Sequence, residues 1–231
     1  MHKLLNPYYF RKLSPILIPL LLIAMLLLTG AGLYQALIVS PPDYQQGEMV
    51  RIMYVHVPAS WMALGIYTFI AICSFSNLVW QTKLAYLMAI AAAPIGAVFT
   101  MISLVTGSLW GKPIWGTWWV WDARLTSMLV LFLLYLSYIA VVNSGDSLRR
   151  AQKPAAVIAL IGFINIPIIK FSVNIWYSLH QPASILRING PSIHSSMLLP
   201  LMIMFISFIL YFLLVLILRT NILIAKMKGQ D

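Results

Sequence analysis

The sequence predicts an all-α, polytopic integral membrane protein with six transmembrane helices and a tryptophan-rich interfacial loop at one membrane surface. Two observations carry that prediction. Of the 231 residues, 61% are hydrophobic and only 9% charged, against about 45–50% and 25% in an ordinary soluble domain. The apolar residues also fall into six runs. A bilayer core about 30 Å thick takes about 20 apolar residues per helix, so six spans use roughly 120 residues, a little over half the chain. A soluble globular enzyme is excluded, and residues 1–231 read as one membrane domain.

The expected spans are 15–39, 58–79, 84–105, 125–142, 155–169 and 197–218. The first follows Lys3, Arg11 and Lys12, as a signal peptide would. It is longer than a signal-peptide apolar region, and no small-x-small cleavage site follows it, so it reads as a retained span. The second opens on Pro58, which suits a first helical turn. Pro94, Pro167 and Pro200 lie inside the third, fifth and sixth spans. Prolines are tolerated there because neighbouring helices can satisfy the freed backbone groups. The fourth follows the tryptophan-rich loop, taken as residues 106–124.

With six spans both termini share a side. That side carries Lys3, Arg11, Lys12, Lys83, Arg149, Arg150, Lys153, Arg219, Lys226 and Lys228, against Asp146 and Asp231. The other carries Arg51, Lys112, Arg124, Lys170 and Arg187, against Asp43, Glu48 and Asp122. The positive-inside rule therefore puts both termini in the cytoplasm. Most of the net charge of +10 reports orientation and not nucleic-acid binding. On the outer side fall His56, His180 and His194, together with Trp61, Trp110, Trp115, Trp118, Trp119, Trp121 and Trp176. Only His2 and Trp80 mark the inner side, so the tryptophans do not form a symmetric aromatic belt. The single cysteine, Cys73, excludes a disulfide framework, a CxxC pair and a cysteine-rich metal site within this chain. No Gly-rich phosphate loop is present, so nucleotide hydrolysis would have to come from a partner chain.

The most specific feature runs WGKPIWGTWWVWDARLT from Trp110 to Thr126. Gly111, Pro113 and Gly116 interrupt its first half. Trp115, Trp118, Trp119 and Asp122 have the spacing of one helical face, which predicts an interfacial helix with a flat aromatic surface. Two uses of that surface stand side by side. The indoles could anchor a re-entrant loop at headgroup depth, with Asp122 pairing Arg124 or capping the fourth helix. Alternatively they form a platform for a large, flat, amphipathic ligand whose acidic substituents meet Lys112 and Arg124.

His56 and His180 lie on different outer segments, with this loop between them in sequence. Each alone reads as a hydrogen-bonded interfacial histidine. As a pair, two neutral imidazoles could supply axial ligands to a haem iron. Zinc is a poorer fit, since adding His194 gives only three histidines and no cysteine. His194 reads as part of the turn into the sixth span. Lys170 can snorkel to the surface, Asn165 and Asn174 could bond between helices or to a head group, and no run of buried carboxylates suggests an ion path.

These residues carry a resemblance. WGKPIWGTWWVWDARLT is similar to the WWD signature of the haem-handling proteins of cytochrome c maturation. The contexts VHVPASW around His56 and LHQPASI around His180, in a six-span chain of this length, resemble the CcmC family. The likeness covers nearly the whole chain. It implies that haem b, as transient cargo, is held at the periplasmic surface of the bacterial inner membrane and delivered to the haem chaperone CcmE. It also implies the ABC-type subunits CcmA and CcmB and the small membrane protein CcmD as partners, and no catalytic turnover. By position, His56 and His180 become the axial ligands. Trp110, Trp115, Trp118, Trp119, Trp121, Asp122 and Arg124 become the cofactor-binding platform and chaperone-docking surface. The main alternative is a haem-containing subunit of a quinol-linked oxidoreductase, which would clasp haem deep between helices. A permease with purely anchoring tryptophans would carry no haem.

Overall fold

The computed structural model describes residues 6–144, 147–180, 185 and 190–228. Among them the chain is helical. Helix α1 spans Pro7–Tyr34 and is prolonged by a π turn, Gln35–Val39. A 3-10 turn, Glu48–Ile52, leads into α2 (Met53–Trp80), followed by α3 (Lys83–Trp115) and α4 (Ala123–Ser144). Then come α5 (Leu148–Phe163), α6 (Asn165–Ile175) and α7 (Ser195–Lys228). Six segments are long and apolar enough to cross a membrane: Pro7–Val39, Glu48–Trp80, Lys83–Trp115, Ala123–Ser144, Arg150–Ile175 and Ser195–Met227.

Each expected run lies within one of these segments, and the helices extend beyond the runs. The fifth segment is bent, because Pro167 has no N–H for the Phe163 carbonyl and α5 ends there. Asn165, at the bend, donates to the Ser127 carbonyl at 2.8 Å, so it bonds between helices. Helix α7 continues ten residues past Leu218. Arg219 is therefore helical, and its Nε donates to the Ala91 carbonyl of α3 at 3.1 Å. His2, Lys3, Asp146, Arg187, Asp231 and the stretch from Gln181 to Ser184 lie outside the described residues.

The core centres on α2, α3 and α4. Small residues on α3, including Ala85, Ala89, Ala92, Ala93 and Gly96, let it pack closely on Ala59, Ala63, Ile66 and Ile70 of α2. Close approach of small residues is the main route to helix association where lipid is as apolar as the protein. Two buried tyrosines fill the gaps that glycines leave. A Cβ on Gly96 would fall 2.3 Å from the ring of Tyr135, and one on Gly162 would fall 2.0 Å from the Tyr67 hydroxyl. Tyr135 donates to the Ala63 carbonyl at 2.7 Å and Tyr67 to the Ile158 carbonyl at 3.2 Å. The two rings meet edge to face, 5.0 Å apart.

Helix α1 stands at the edge, burying only Ser14 and Gly32. It is held to α7 by Thr29 against Ser207 at 2.6 Å, Ser14 to Asn221 at 3.3 Å, and Gly32 packed on Met204. Polar pairs of this kind are worth about 0.6 kcal/mol each in membranes. Alternation of the segments gathers the α1–α2, α3–α4 and α6–α7 connections at one end, the tryptophan-rich end. At the opposite end Tyr86 donates to the Leu148 carbonyl at 2.7 Å and Gln152 to Asn77 at 2.7 Å.

The packing of Tyr135 on Gly96 gives a direct test. Gly96→Ala should destabilise the bundle by about 1–3 kcal/mol, as overpacking of a filled core does. Thermal unfolding in detergent checks it, with Gly65→Ala as the control, since nothing lies within 4 Å of a Cβ there.

Candidate functional site

At the tryptophan-rich end the backbone leaves helical geometry, so side chains must fix the connections. Asp43 shapes the α1–α2 connection, its Oδ1 accepting from the N–H groups of Gln45 and Gln46 at 2.9 Å each. The Trp110 indole N–H then donates to the Gln46 side chain at 2.9 Å, latching this connection to α3. Arg51 pairs with Glu48 and donates to the Ala36 carbonyl at 2.7 Å.

The interfacial helix expected over Trp115–Asp122 is absent. Helix α3 instead runs through Gly111 and Pro113 to Trp115. Gly111 is buried in its last turns, with room for a Cβ only 3.1 Å from the Trp115 ring. Gly116 terminates the helix at φ +79°, a left-handed conformation favouring glycine, and its N–H bonds the Lys112 carbonyl at 3.1 Å. From Thr117 to Asp122 the chain is irregular. The tryptophan spacing thus reflects two helix ends joined by a loop, and the indoles do not share one face. Trp110 and Trp115 meet edge to face at 5.0 Å, and Trp119 and Trp121 at 5.5 Å. Trp118 and Trp121 are exposed, the latter 75%. Lys112 lies 5.9 Å over the Trp118 ring and donates to the Gly116 carbonyl at 3.2 Å.

Asp122 is the hub. Its side chain is only 5% exposed. Oδ1 accepts the Leu125 N–H at 2.8 Å, which caps α4. Oδ2 accepts the Ser178 hydroxyl and faces His180 Nδ1 at 3.5 Å. Burial pushes this carboxyl upward, but the Leu125 amide, the Ser178 hydroxyl and His180 outweigh it and hold it below the usual 3.8. His180 is shifted below 6.5, first by burial and then by Arg124, against the opposing pull of Asp122. Its ring also packs edge to face on Trp115 at 4.9 Å.

His56 sits in the first turn of α2, half-buried, with Nδ1 3.0 Å from the Thr106 hydroxyl of α3. His180 and Arg124 both lie within electrostatic reach of its ring. The two histidines singled out from the sequence are therefore neighbours. Arg124 lies half-buried on the first turn of α4, and its Nε is buried without a hydrogen-bond partner. The Trp119 indole N–H is likewise buried and unpartnered. An unsatisfied buried donor costs about 1–3 kcal/mol, so each of the two suits an incoming acceptor oxygen. His194 caps α7, accepting at its carbonyl from Met197 and Leu198 at 3.0 Å each. Among the described residues, no three His, Cys, Asp or Glu groups gather as a metal-ion cage. Gln46, Thr106 and Ser178 carry site contacts that the sequence reading missed; a single amide or hydroxyl in a connection or on a helix gives no periodic signal.

The fold and site define a multi-pass membrane protein that gathers two imidazoles, a set of tryptophans and a half-buried arginine at one end. The profile of the family described as Heme exporter protein C matches residues 1–231. The chain is 50% identical to Heme exporter protein C of Bradyrhizobium diazoefficiens over 209 residues, 90% of this chain and 79% of that protein. It is 42% identical to that of Haemophilus influenzae over 226 residues, 98% of this chain and 92% of the relative. A putative cytochrome c biosynthesis ccmC-like mitochondrial protein of Arabidopsis thaliana is 42% identical over 223 residues, 96% of this chain and 84% of that one. The chain belongs to the haem exporter protein C family, and is a transport-related membrane component of haem export for cytochrome c biogenesis.

The Asp122 hub titrates in a definite direction. A depressed carboxyl contributes stability above its unfolded pKa and loses it as pH falls through the lower folded value. A spin label at Leu179 should keep constant mobility from pH 7 down to about 4 and loosen only below the ordinary 3.8. Asp122→Ala should be mobile throughout that range and lose about 1 kcal/mol of capping. Electron paramagnetic resonance reads the first effect, and thermal unfolding the second.

Proposed function

We propose that this chain holds haem b, as transient cargo, at the periplasmic surface of the bacterial inner membrane and delivers it to the haem chaperone CcmE. The observation that carries the proposal is the convergence of His56 and His180 beside Arg124, whose Nε is a buried, unpartnered donor. Haem matches that set, with an iron that takes two imidazoles and propionates that accept hydrogen bonds. In this assignment His56 and His180 are the axial ligands. Arg124 and Trp119 receive a propionate, and Trp110 and Trp115 brace the ligand side. Exposed Trp118 and Trp121, with Lys112 over the first, form the surface the chaperone meets.

The role is positional and involves no catalytic turnover. Both imidazoles lie at helix ends, which supports a carrier over a quinol-linked oxidoreductase subunit with haem deep in the bundle. Both termini are cytoplasmic in this reading, supported by the excess of Lys and Arg on that side. ATP hydrolysis is left to an ABC-type pair, CcmA and CcmB, with CcmD as a further small partner.

His56→Ala and His180→Ala should each abolish the bis-imidazole haem spectrum and handover while leaving membrane insertion intact; normal loading in both would remove the axial assignment. Arg124→Ala should lower haem retention about tenfold, the scale of one charge-assisted hydrogen bond. Reporter fusions near Lys112 and Arg150 should score outside and inside respectively.

A further inference from the structure

A hydroxyl has one proton to give and two lone pairs to receive with. Thr106 Oγ1 lies 2.6 Å from the Ile102 carbonyl and 3.3 Å from the Ser103 carbonyl, both on the preceding turn of α3. Carbonyls only accept, so the Thr106 proton is committed to its own helix, the usual back-bond of a helical threonine. What Thr106 presents to His56 Nδ1 at 3.0 Å is therefore a lone pair, and the neighbouring Ser103 carbonyl is a second acceptor for the same ring. The Nδ1 atom must carry the proton, and in a neutral imidazole Nε2 is then the bare nitrogen. Gly107 allows this approach, since a Cβ there would sit 3.1 Å from His56 Cε1.

The same logic holds at His180 with a different acceptor. Both Asp122 oxygens act as acceptors, Oδ1 from the Leu125 N–H at 2.8 Å and Oδ2 from the Ser178 hydroxyl, and Oδ2 also faces His180 Nδ1 at 3.5 Å. The Trp115 edge, 4.9 Å away, restricts the ring from the side. Nε2 is again left bare.

We propose that Thr106 is the positioning residue for His56, and Asp122 for His180, each fixing its imidazole as the Nδ1–H form so that both present Nε2 to iron. The proposal rests on the axial-ligand reading above. It moves Asp122 from the list of haem contacts to the support of a ligand, and adds a helical threonine that no tryptophan motif contains. Outer partners of this kind orient a ligating imidazole and raise its basicity, and their loss costs about 10–100-fold in metal affinity.

The test begins without haem. In apo protein selectively labelled with 15N-histidine and held in lipid nanodiscs, His56 and His180 should both show protonated Nδ1 and bare Nε2. Thr106→Val should release His56 to a mixture of tautomers, leave His180 unchanged and lower haem retention at least tenfold. Thr106→Ser, which keeps the hydroxyl, should restore both readouts. A wild-type His56 protonated at Nε2, a Thr106→Ser protein behaving like Thr106→Val, or a Thr106→Val protein in which His180 is disturbed as much as His56, each overturns the assignment. If the tautomer shifts as expected but haem loads normally, the axial-ligand reading fails, and the proposal falls with it for that distinct reason.

Discussion

Lipid offers no hydrogen bonds, so each spanning segment must satisfy its own backbone, and irregular chain is confined to places where protein or water can take over. The arrangement of the site follows from that constraint. His56 lies in a first turn, His180 beyond the last turn of α6, and the tryptophan-rich stretch between Gly116 and Asp122, all at one end. Helical geometry no longer fixes His180 or the tryptophan-rich stretch, so side chains have to. Asp122 carries the largest share, with one oxygen on the cap of α4 and the other on the segment holding Ser178 and His180. The Gln46–Trp110 hydrogen bond does the same for the α1–α2 connection.

Beneath that end the bundle supplies unequal stiffness. His56 and Thr106 sit on α2 and α3, the pair drawn together by small residues and braced by Tyr67 and Tyr135. His180 sits on an irregular segment whose place depends on one carboxylate and one indole edge. The two proposed ligands are therefore held by different means, one by core packing and one by a few polar contacts. In the proposed carrier, release of the cargo needs one side able to yield. Among the described residues beside His180 and in the tryptophan-rich stretch, Trp118, Trp121, Trp176 and Tyr177 lie exposed.

Much of this was legible in the sequence, for physical reasons that also explain the failures. Apolar runs of about 20 residues have few alternatives to a membrane span, so all six segments could be found. Their ends could not, since helices such as α7 continue beyond the apolar run into the basic residues that follow. The bend at Phe163 was implicit in Pro167, whose missing N–H acts four residues back. The tryptophan spacing misled because helical periodicity presumes an unbroken helix, and Gly116 in a left-handed conformation breaks it. The histidine pair stood out as chemistry, whereas Thr106 did not: a threonine in a helix looks the same whether its free lone pair faces lipid or an imidazole.

The electrostatics of the site join these parts. Arg124 is half-buried with its Nε unpartnered, near both imidazoles. A cation there opposes protonation of His180, and burial opposes it further. Both effects favour the neutral ring, the only form with a lone pair for a metal. Asp122 pulls the other way, but as an acceptor at Nδ1 it spends that pull on the nitrogen facing away from the proposed iron. Arg124 Nε and the Trp119 N–H are buried donors left unpaired, each at a cost of about 1–3 kcal/mol. In the proposed assignment that cost is recovered when propionate oxygens pair with them, so the same donors that are costly unpaired would favour a guest with carboxylates at its periphery.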